Sequence, residues 1–218
     1  MLFENRTEAG TALASKLTKY RNQPDVRVLA LPRGGVPVAL EVARALHVPM
    51  DVFIVRKLGL PGHPELAMGA IATGGVRVLN SSLVEALGIP ETTIEAIAAQ
   101  EQKELERRER AYRGDLPALE IRGRTVILVD DGLATGATMQ AAVQAARARR
   151  AARVTVAVPV GAPEVCEKLR AEADETVCVY TPEPFQAVGR WYADFSQTTD
   201  DEVQALLDCA RHVAVGPS

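Results

Sequence analysis

The sequence predicts an α/β fold: a five-stranded parallel sheet core flanked by helices, with a small hood subdomain. Three observations lead there. Five short runs are continuously apolar rather than alternating, as strands buried on both faces are: 26–31 (VRVLAL), 50–57 (MDVFIVRK), 125–130 (TVILVD), 154–160 (VTVAVPV) and 176–180 (TVCVY). Helical patterns separate most of them, which is what parallel crossovers require. Several runs also end in charged or glycine-rich turns, on the edge where open parallel sheets collect function.

Taken in order, residues 7–20 read as an amphipathic helix with Ala9, Leu13, Leu17 and Tyr20 on one face. Strand 26–31 runs into Pro-Arg-Gly-Gly, and helix 36–46 follows. After strand 50–57, the Gly- and Pro-rich stretch 58–75 (LGLPGHPELAMGAIATGG) reads as a long loop leading into a hairpin. Helices are expected at 81–88 and 91–112. The second carries Glu104–Arg108 and Glu106–Arg110 at i,i+4 spacing, the mark of a solvated face, while Ile94, Ala98, Leu105 and Tyr112 offer a subunit contact as the alternative. Strand 125–130, helix 138–150, strand 154–160, helix 163–171, strand 176–180 and helix 200–213 complete the chain. Residues 1–218 thus read as a single domain. Its core is about 21–180 with a loop and helical insertion at 58–122, its hood about 181–198, and its closing helix 199–213.

Composition narrows the function. A formal net charge of −3 leaves no basic footprint, which argues against nucleic acid as the main partner. The N-terminus lacks an apolar h-region and no run reaches membrane-spanning length, so a cytoplasmic protein without membrane contact is expected. Cys166, Cys178 and Cys209 lack C-x-x-C spacing, which disfavours zinc, and their odd count suits a reducing compartment. Neither a G-K-[ST] phosphate loop nor a G-x-G-x-x-G fingerprint occurs.

The chemistry gathers at 126–142, VILVDDGLATGATMQAA. Four aliphatics bring the chain to a strand end. Asp130 and Asp131 then offer charged acceptors for two neighbouring sugar hydroxyls. Gly132, Leu133, Ala134, Thr135, Gly136, Ala137 and Thr138 form a small-residue loop at a helix N-terminus, where backbone N–H groups converge on an anion. T-G-x-T alone would read as a helix cap; behind four aliphatics and two acids it reads as a cradle for a phosphorylated sugar.

Residues 126–138 resemble the phosphoribosyl-diphosphate (PRPP) motif of type I phosphoribosyltransferases, and LPRGG at 31–35 is similar to that family's diphosphate loop, where a non-proline cis peptide is common. VRKLGLPG at 55–62 resembles a stretch of the adenine enzymes whose basic residues serve the diphosphate. The resemblance spans about 26–194 and leaves the two terminal helices as additions. It implies that Arg33, Gly34 and Gly35 hold the diphosphate and that residues 130–138 hold the phosphoribosyl group. Arg33, Arg56, Lys57 and Glu65, the last beside His63 in the loop, become catalytic candidates. It also implies Mg²⁺, reached by Asp130 and Asp131 indirectly through ribose hydroxyls or water, and a homodimer acting on PRPP and a nucleobase-like molecule. The hypoxanthine-guanine enzymes carry an acid where this chain has Ala134, and the adenine enzymes close the base site with an N-terminal hood that residues 1–20 do not resemble. Here the hood candidate is PEPFQAVGRWYADF at 182–195, in which Phe185 and Trp191 either stack on a base or fill a small core. The expected activity is Mg²⁺-dependent transfer of the phosphoribosyl group to a ring nitrogen with release of diphosphate. The alternative is a regulator of the same fold that binds PRPP or a nucleotide without turnover.

Overall fold

A computed structural model describes residues 2–60 and 62–214, without the side chains of 63–66 and 212–214. The first half of the chain forms α1 (Arg6–Lys16), β1 (Val26–Ala30), α2 (Gly35–Leu46), β2 (Met50–Val52), β3 (Val55–Leu60), β4 (His63–Ala72), β5 (Val76–Leu79), α3 (Ser81–Ala86) and α4 (Glu91–Arg113). The second half forms β6 (Thr125–Val129), α5 (Ala137–Ala148), β7 (Arg153–Val160), α6 (Pro163–Glu172), β8 (Glu175–Tyr180) and α7 (Asp200–Ala214).

Five strands pair in parallel in the order β2-β1-β6-β7-β8, as the continuous apolar runs predict. Side chains alternate between two buried layers, which is why these runs need apolar residues at every position. On β6, Ile127 and Val129 pack towards the layer that holds α1, α2, α4 and α7, while Val126 and Leu128 pack towards α5 and α6. The register sets Ala30 opposite Val129 and Val129 opposite Ala157. Strands β1 and β6 therefore end level, and the turns leaving them lie side by side.

Two expectations are corrected here. The run 50–57 is not one strand: β2 stops at Val52, and the chain crosses at Phe53 and Ile54 into a second, antiparallel sheet ordered β3-β4-β5. Phe53 and Ile54 are fully buried at the crossing, so hydrophobicity gives no sign of the break. There, the Ile54 N–H donates to Thr73 Oγ1 at 3.0 Å and the Thr73 N–H to the Ile54 carbonyl at 2.9 Å. Much of the stretch read as loop is strand, with register shifts around Gly59. Gly69 serves close packing within the sheet, since a Cβ there would lie 2.3 Å from the Val78 carbonyl oxygen, whereas Gly74 and Gly75 take the positive φ of the turn between β4 and β5.

Helix α4 buries Ile94, Ala98, Leu105 and Tyr112 within this chain, so the subunit-contact alternative for that face is replaced by an intrachain core. Its outer face carries the expected Arg108–Glu104 ion pair at 2.7 Å. Cys166 of α6 and Cys178 of β8, expected as thiols, are joined as a disulfide; Cys209 is free and exposed. Among the described residues no helix is long and apolar enough to cross a membrane.

The end of α4 is fixed by a buried ion pair. Arg113 Nε lies 2.9 Å from both carboxylate oxygens of Asp51 on β2, and its Nη2 donates to the Val52 carbonyl at 2.7 Å. Asp51 also accepts from the Val52 and Leu119 amides. Removing one partner would leave the other charge uncompensated in the core. Arg113→Ala is accordingly expected to lower unfolding stability by about 3–5 kcal/mol, measured by urea denaturation against the parent chain.

Candidate functional site

The level ends of β1 and β6 bring two turns into contact. After β1, the Leu31 N–H donates to the Val129 carbonyl at 2.8 Å, the Pro32–Arg33 peptide is cis, and α2 begins at Gly35. After β6 come Asp130 and Asp131, both half-buried, with the Asp131 N–H donating to Asp130 Oδ1 at 2.9 Å. The glycines make the contact possible. A Cβ on Gly34 would lie 2.0 Å from Asp131 Oδ2, and one on Gly35 would lie 2.7 Å from the Val129 carbonyl oxygen. Neither position has room for a side chain in this arrangement.

The loop after the acids is anchored from behind and open in front. The Leu133 N–H donates to the Val160 carbonyl at 3.0 Å, and the Leu133 carbonyl accepts from Ala162 at 2.9 Å. Gly136 has a left-handed φ of 71°, and a Cβ there would meet Val165 of α6 at 2.4 Å. Ala134 and Thr135 are exposed, Thr138 is exposed too, and no side chain caps the N-terminus of α5. The free first-turn amides and two hydroxyls form a face suited to an anion.

Both terminal segments reach this place, which the sequence reading missed in treating them as additions. Arg6, the first residue of α1, donates through Nε to Asp131 Oδ2 at 2.9 Å, with Nη2 2.8 Å from the same oxygen. Its Nη1 donates to the Ser196 carbonyl at 2.7 Å, and the guanidinium lies 4.1 Å from the Phe195 ring centroid. The Tyr192 hydroxyl donates to the Asp131 carbonyl at 2.6 Å. At the other turn, Arg33 faces Asp200 of α7 at 3.6 Å, and Asp200 also accepts from the Tyr112 hydroxyl at 2.9 Å. One signal was available: a cation in the first turn of a helix opposes the helix dipole and implies an acid elsewhere.

Burial, then the Asp131 charge, pushes the Asp130 carboxyl well above its ordinary range, against the opposing pull of the Asp131 amide and Arg6. Burial also raises Asp131, and the Arg6 guanidinium counters it. The Tyr192 hydroxyl is raised by burial and by the neighbouring Asp131. Two carboxylates share one cation, so Arg6 carries much of the pair's neutralisation.

The remaining candidates separate. Arg56 and Lys57 are consecutive on β3 and so project to opposite faces. Arg56 turns to α4 and pairs with Glu101, at 2.7 Å from Nε and 2.6 Å from Nη2. Lys57 borders a cleft of about 200 Å³ with Asn80, Gln140 and Ala137, the first residue of α5. Phe185 and Trp191 stack on each other with centroids 6.4 Å apart, and pack against Phe3, Ala9, Val160 and Tyr192. Glu65 falls on β4, as does His63; the side chains of both lie outside the described residues.

A parallel α/β sheet with paired acids and an open small-residue loop on its carboxyl edge defines a protein whose site lies at the strand ends. Within that class, the chain belongs to the phosphoribosyl transferase domain family, whose model matches residues 3–189. It is 47% identical over 209 residues to Rv0571c of Mycobacterium tuberculosis H37Rv, which carries the provisional name of a phosphoribosyl transferase; the match covers 96% of this chain and 47% of that one. The chain thus spans about half the length of the curated relatives it matches. The crystal structure of TT1426 from Thermus thermophilus is similar throughout, with TM-score 0.87 and 44% identity over 95% of this chain and 98% of that one.

The two glycines of the first turn are expected to respond differently to a methyl group. At Gly35 the obstacle is backbone, so Gly35→Ala should lose about 1–3 kcal/mol of stability, roughly 2–4 °C in Tm per kcal/mol. At Gly34 the nearest atoms belong to the Asp131 side chain, which can swing away. Gly34→Ala should therefore melt closer to the parent while losing the Arg6–Asp131 contact, checked by differential scanning calorimetry and a crystal structure of the variant.

Proposed function

We propose that this chain transfers the 5-phosphoribosyl group of PRPP to a ring nitrogen of a nucleobase-like acceptor and releases diphosphate. The observation that carries the reading is the contact between the Arg33-Gly34-Gly35 turn and the Asp130–Asp131 pair, with the open loop 132–138 beyond it. A ligand spanning these features would carry a diphosphate, vicinal hydroxyls and a terminal phosphate, in that order.

In this reading the Gly34 and Gly35 backbone, Arg33 and Lys57 receive the diphosphate, and Asp130 and Asp131 accept from the ribose hydroxyls. The first-turn amides of α5 with Thr135 and Thr138 anchor the 5′-phosphate. The acceptor nitrogen attacks C1, the bond from C1 to the diphosphate oxygen breaks with its electron pair leaving on diphosphate, and the acceptor's N–H proton passes to solvent. The sugar carbon is oxocarbenium-like midway, so the side chains contribute chiefly by positioning and by stabilising the leaving group. Arg56 enters only if it exchanges Glu101 for the diphosphate. Phe185 and Trp191 are the candidates for stacking on the acceptor.

The acid pair also fits the Mg²⁺ expected with such a substrate. It supplies oxygen donors alone. That suits an ion that keeps several waters and takes its other ligands from a phosphate-bearing substrate. When bound, Mg²⁺ would neutralise charge on the departing diphosphate, with Asp130 and Asp131 holding it through water or the ribose hydroxyls.

The deciding experiment incubates the protein with PRPP and Mg²⁺ across purines, pyrimidines and related heterocycles and measures diphosphate release. Release with any acceptor supports transfer. Binding of PRPP or of a nucleoside monophosphate without release for every acceptor would favour the regulator, and binding of neither would sink both readings. PRPP at about a hundred times its Kd should add about 2.7 kcal/mol to stability, read as a rise in Tm. Asp131→Asn, nearly isosteric but uncharged, should lower PRPP affinity about tenfold to a hundredfold, or about 1–3 kcal/mol by calorimetry. Affinity for inorganic diphosphate, which has no ribose hydroxyls, should not fall.

A further inference from the structure

We propose that Arg6 is a ligand-binding residue of this site: it holds Asp131 as an acceptor for a ribose hydroxyl and donates its remaining N–H groups to the substrate's diphosphate. The inference rests on the phosphoribosyl reading and adds to it a residue from outside the matched motifs.

Position makes the first argument. Arg6 Nε is 2.9 Å from Asp131 Oδ2 and 3.4 Å from where a Gly34 Cβ would stand. The guanidinium therefore sits on the seam between the acid pair and the diphosphate turn, where the ribose hydroxyls and the diphosphate of such a substrate would meet. Its contacts take one N–H from each nitrogen: Nε and Nη2 to Asp131, Nη1 to Ser196. A guanidinium has two N–H groups on each terminal nitrogen, so one on Nη1 and one on Nη2 are left as charged donors for phosphate oxygens.

Rigidity makes the second. The side chain is only 11% exposed and lies over Phe195. Helix α1 cannot easily carry it away. Asn5 caps the helix by accepting from the Thr7 and Glu8 amides, and α1 is docked closely on α2 at Gly10, where a Cβ would lie 2.7 Å from the Val38 carbonyl oxygen. A residue meant to leave the acids when substrate arrives would not be clamped from helix, ring and carbonyl together. A residue meant to stay and share its donors would be.

The test must separate Arg6 from the acid it neutralises, because Arg6→Gln alone leaves an uncompensated carboxylate that repels diphosphate. The informative comparison is Asp131→Asn against the double variant Arg6→Gln/Asp131→Asn, both with a neutral residue at 131. Calorimetry with inorganic diphosphate and Mg²⁺ should show at least tenfold weaker binding in the double variant. Equal or tighter binding there, with the parent chain binding diphosphate normally, would overturn the role of Arg6 and leave the phosphoribosyl reading standing. A parent chain that binds neither PRPP nor diphosphate would overturn both. Should the double variant fold poorly by circular dichroism, Arg6→Lys/Asp131→Asn takes its place. Keeping the charge but not the guanidinium, it should bind diphosphate more weakly than Asp131→Asn; equal binding would count against the proposal.

Discussion

The Asp131 carboxylate is where the structure's independent parts meet. It closes against Gly34 from the neighbouring turn and receives Arg6 from the first helix, and the backbone carbonyl of the same residue receives Tyr192 from the segment after β8. A half-buried acid beside another acid is costly to desolvate unless a cation answers it. Arg6 supplies that cation from the start of α1, which Leu13 and Ala14 seat in the core against α2, and residues 192 and 196 bond to Asp131 and Arg6 in turn. The N-terminal helix and the segment after β8 thus meet at two adjacent carboxylates.

The parts of this arrangement that could be read from the sequence are those whose cause is local. A strand buried on both faces must be apolar at every position, so β6 announces itself, and a phosphate-type loop needs small residues at fixed offsets from it. The Arg33-Gly34-Gly35 turn is readable for the same reason. Arg6 and Asp131 are 125 residues apart, and Arg33 and Asp200 further still, and neither pairing leaves a periodic trace. Only the misfit of an arginine in the first turn of a helix hints at the first of them. The split of 50–57 was hidden because the crossing residues Phe53 and Ile54 are themselves core. The strands within 58–75 were hidden partly because Gly69 serves close packing within β4, where the usual inference from a glycine is a loop.

The second sheet shows how one dipeptide can serve two purposes. Consecutive strand residues face opposite ways, so Arg56 is committed to Glu101 and fastens the sheet to α4, while Lys57 keeps to the cleft by α5. The same α4 is fastened at its far end by the buried Arg113–Asp51 pair, next to the β2 edge of the main sheet. The insertion is thus pinned to the parallel core at its end and to its own sheet along its length.

The level pairing of β1 and β6 has a further consequence. Adjacent strands are held about 4.8 Å apart by their backbone ladder, and no side-chain substitution changes that spacing. The backbones of the two turns that carry Gly34 and Asp131 are therefore set at a fixed gauge. Sequence drift in the surrounding helices can retune charge and solubility while the gauge stays constant. The separation of the two turns is in this sense a property of the peptide backbone, and the side chains around it are free to vary.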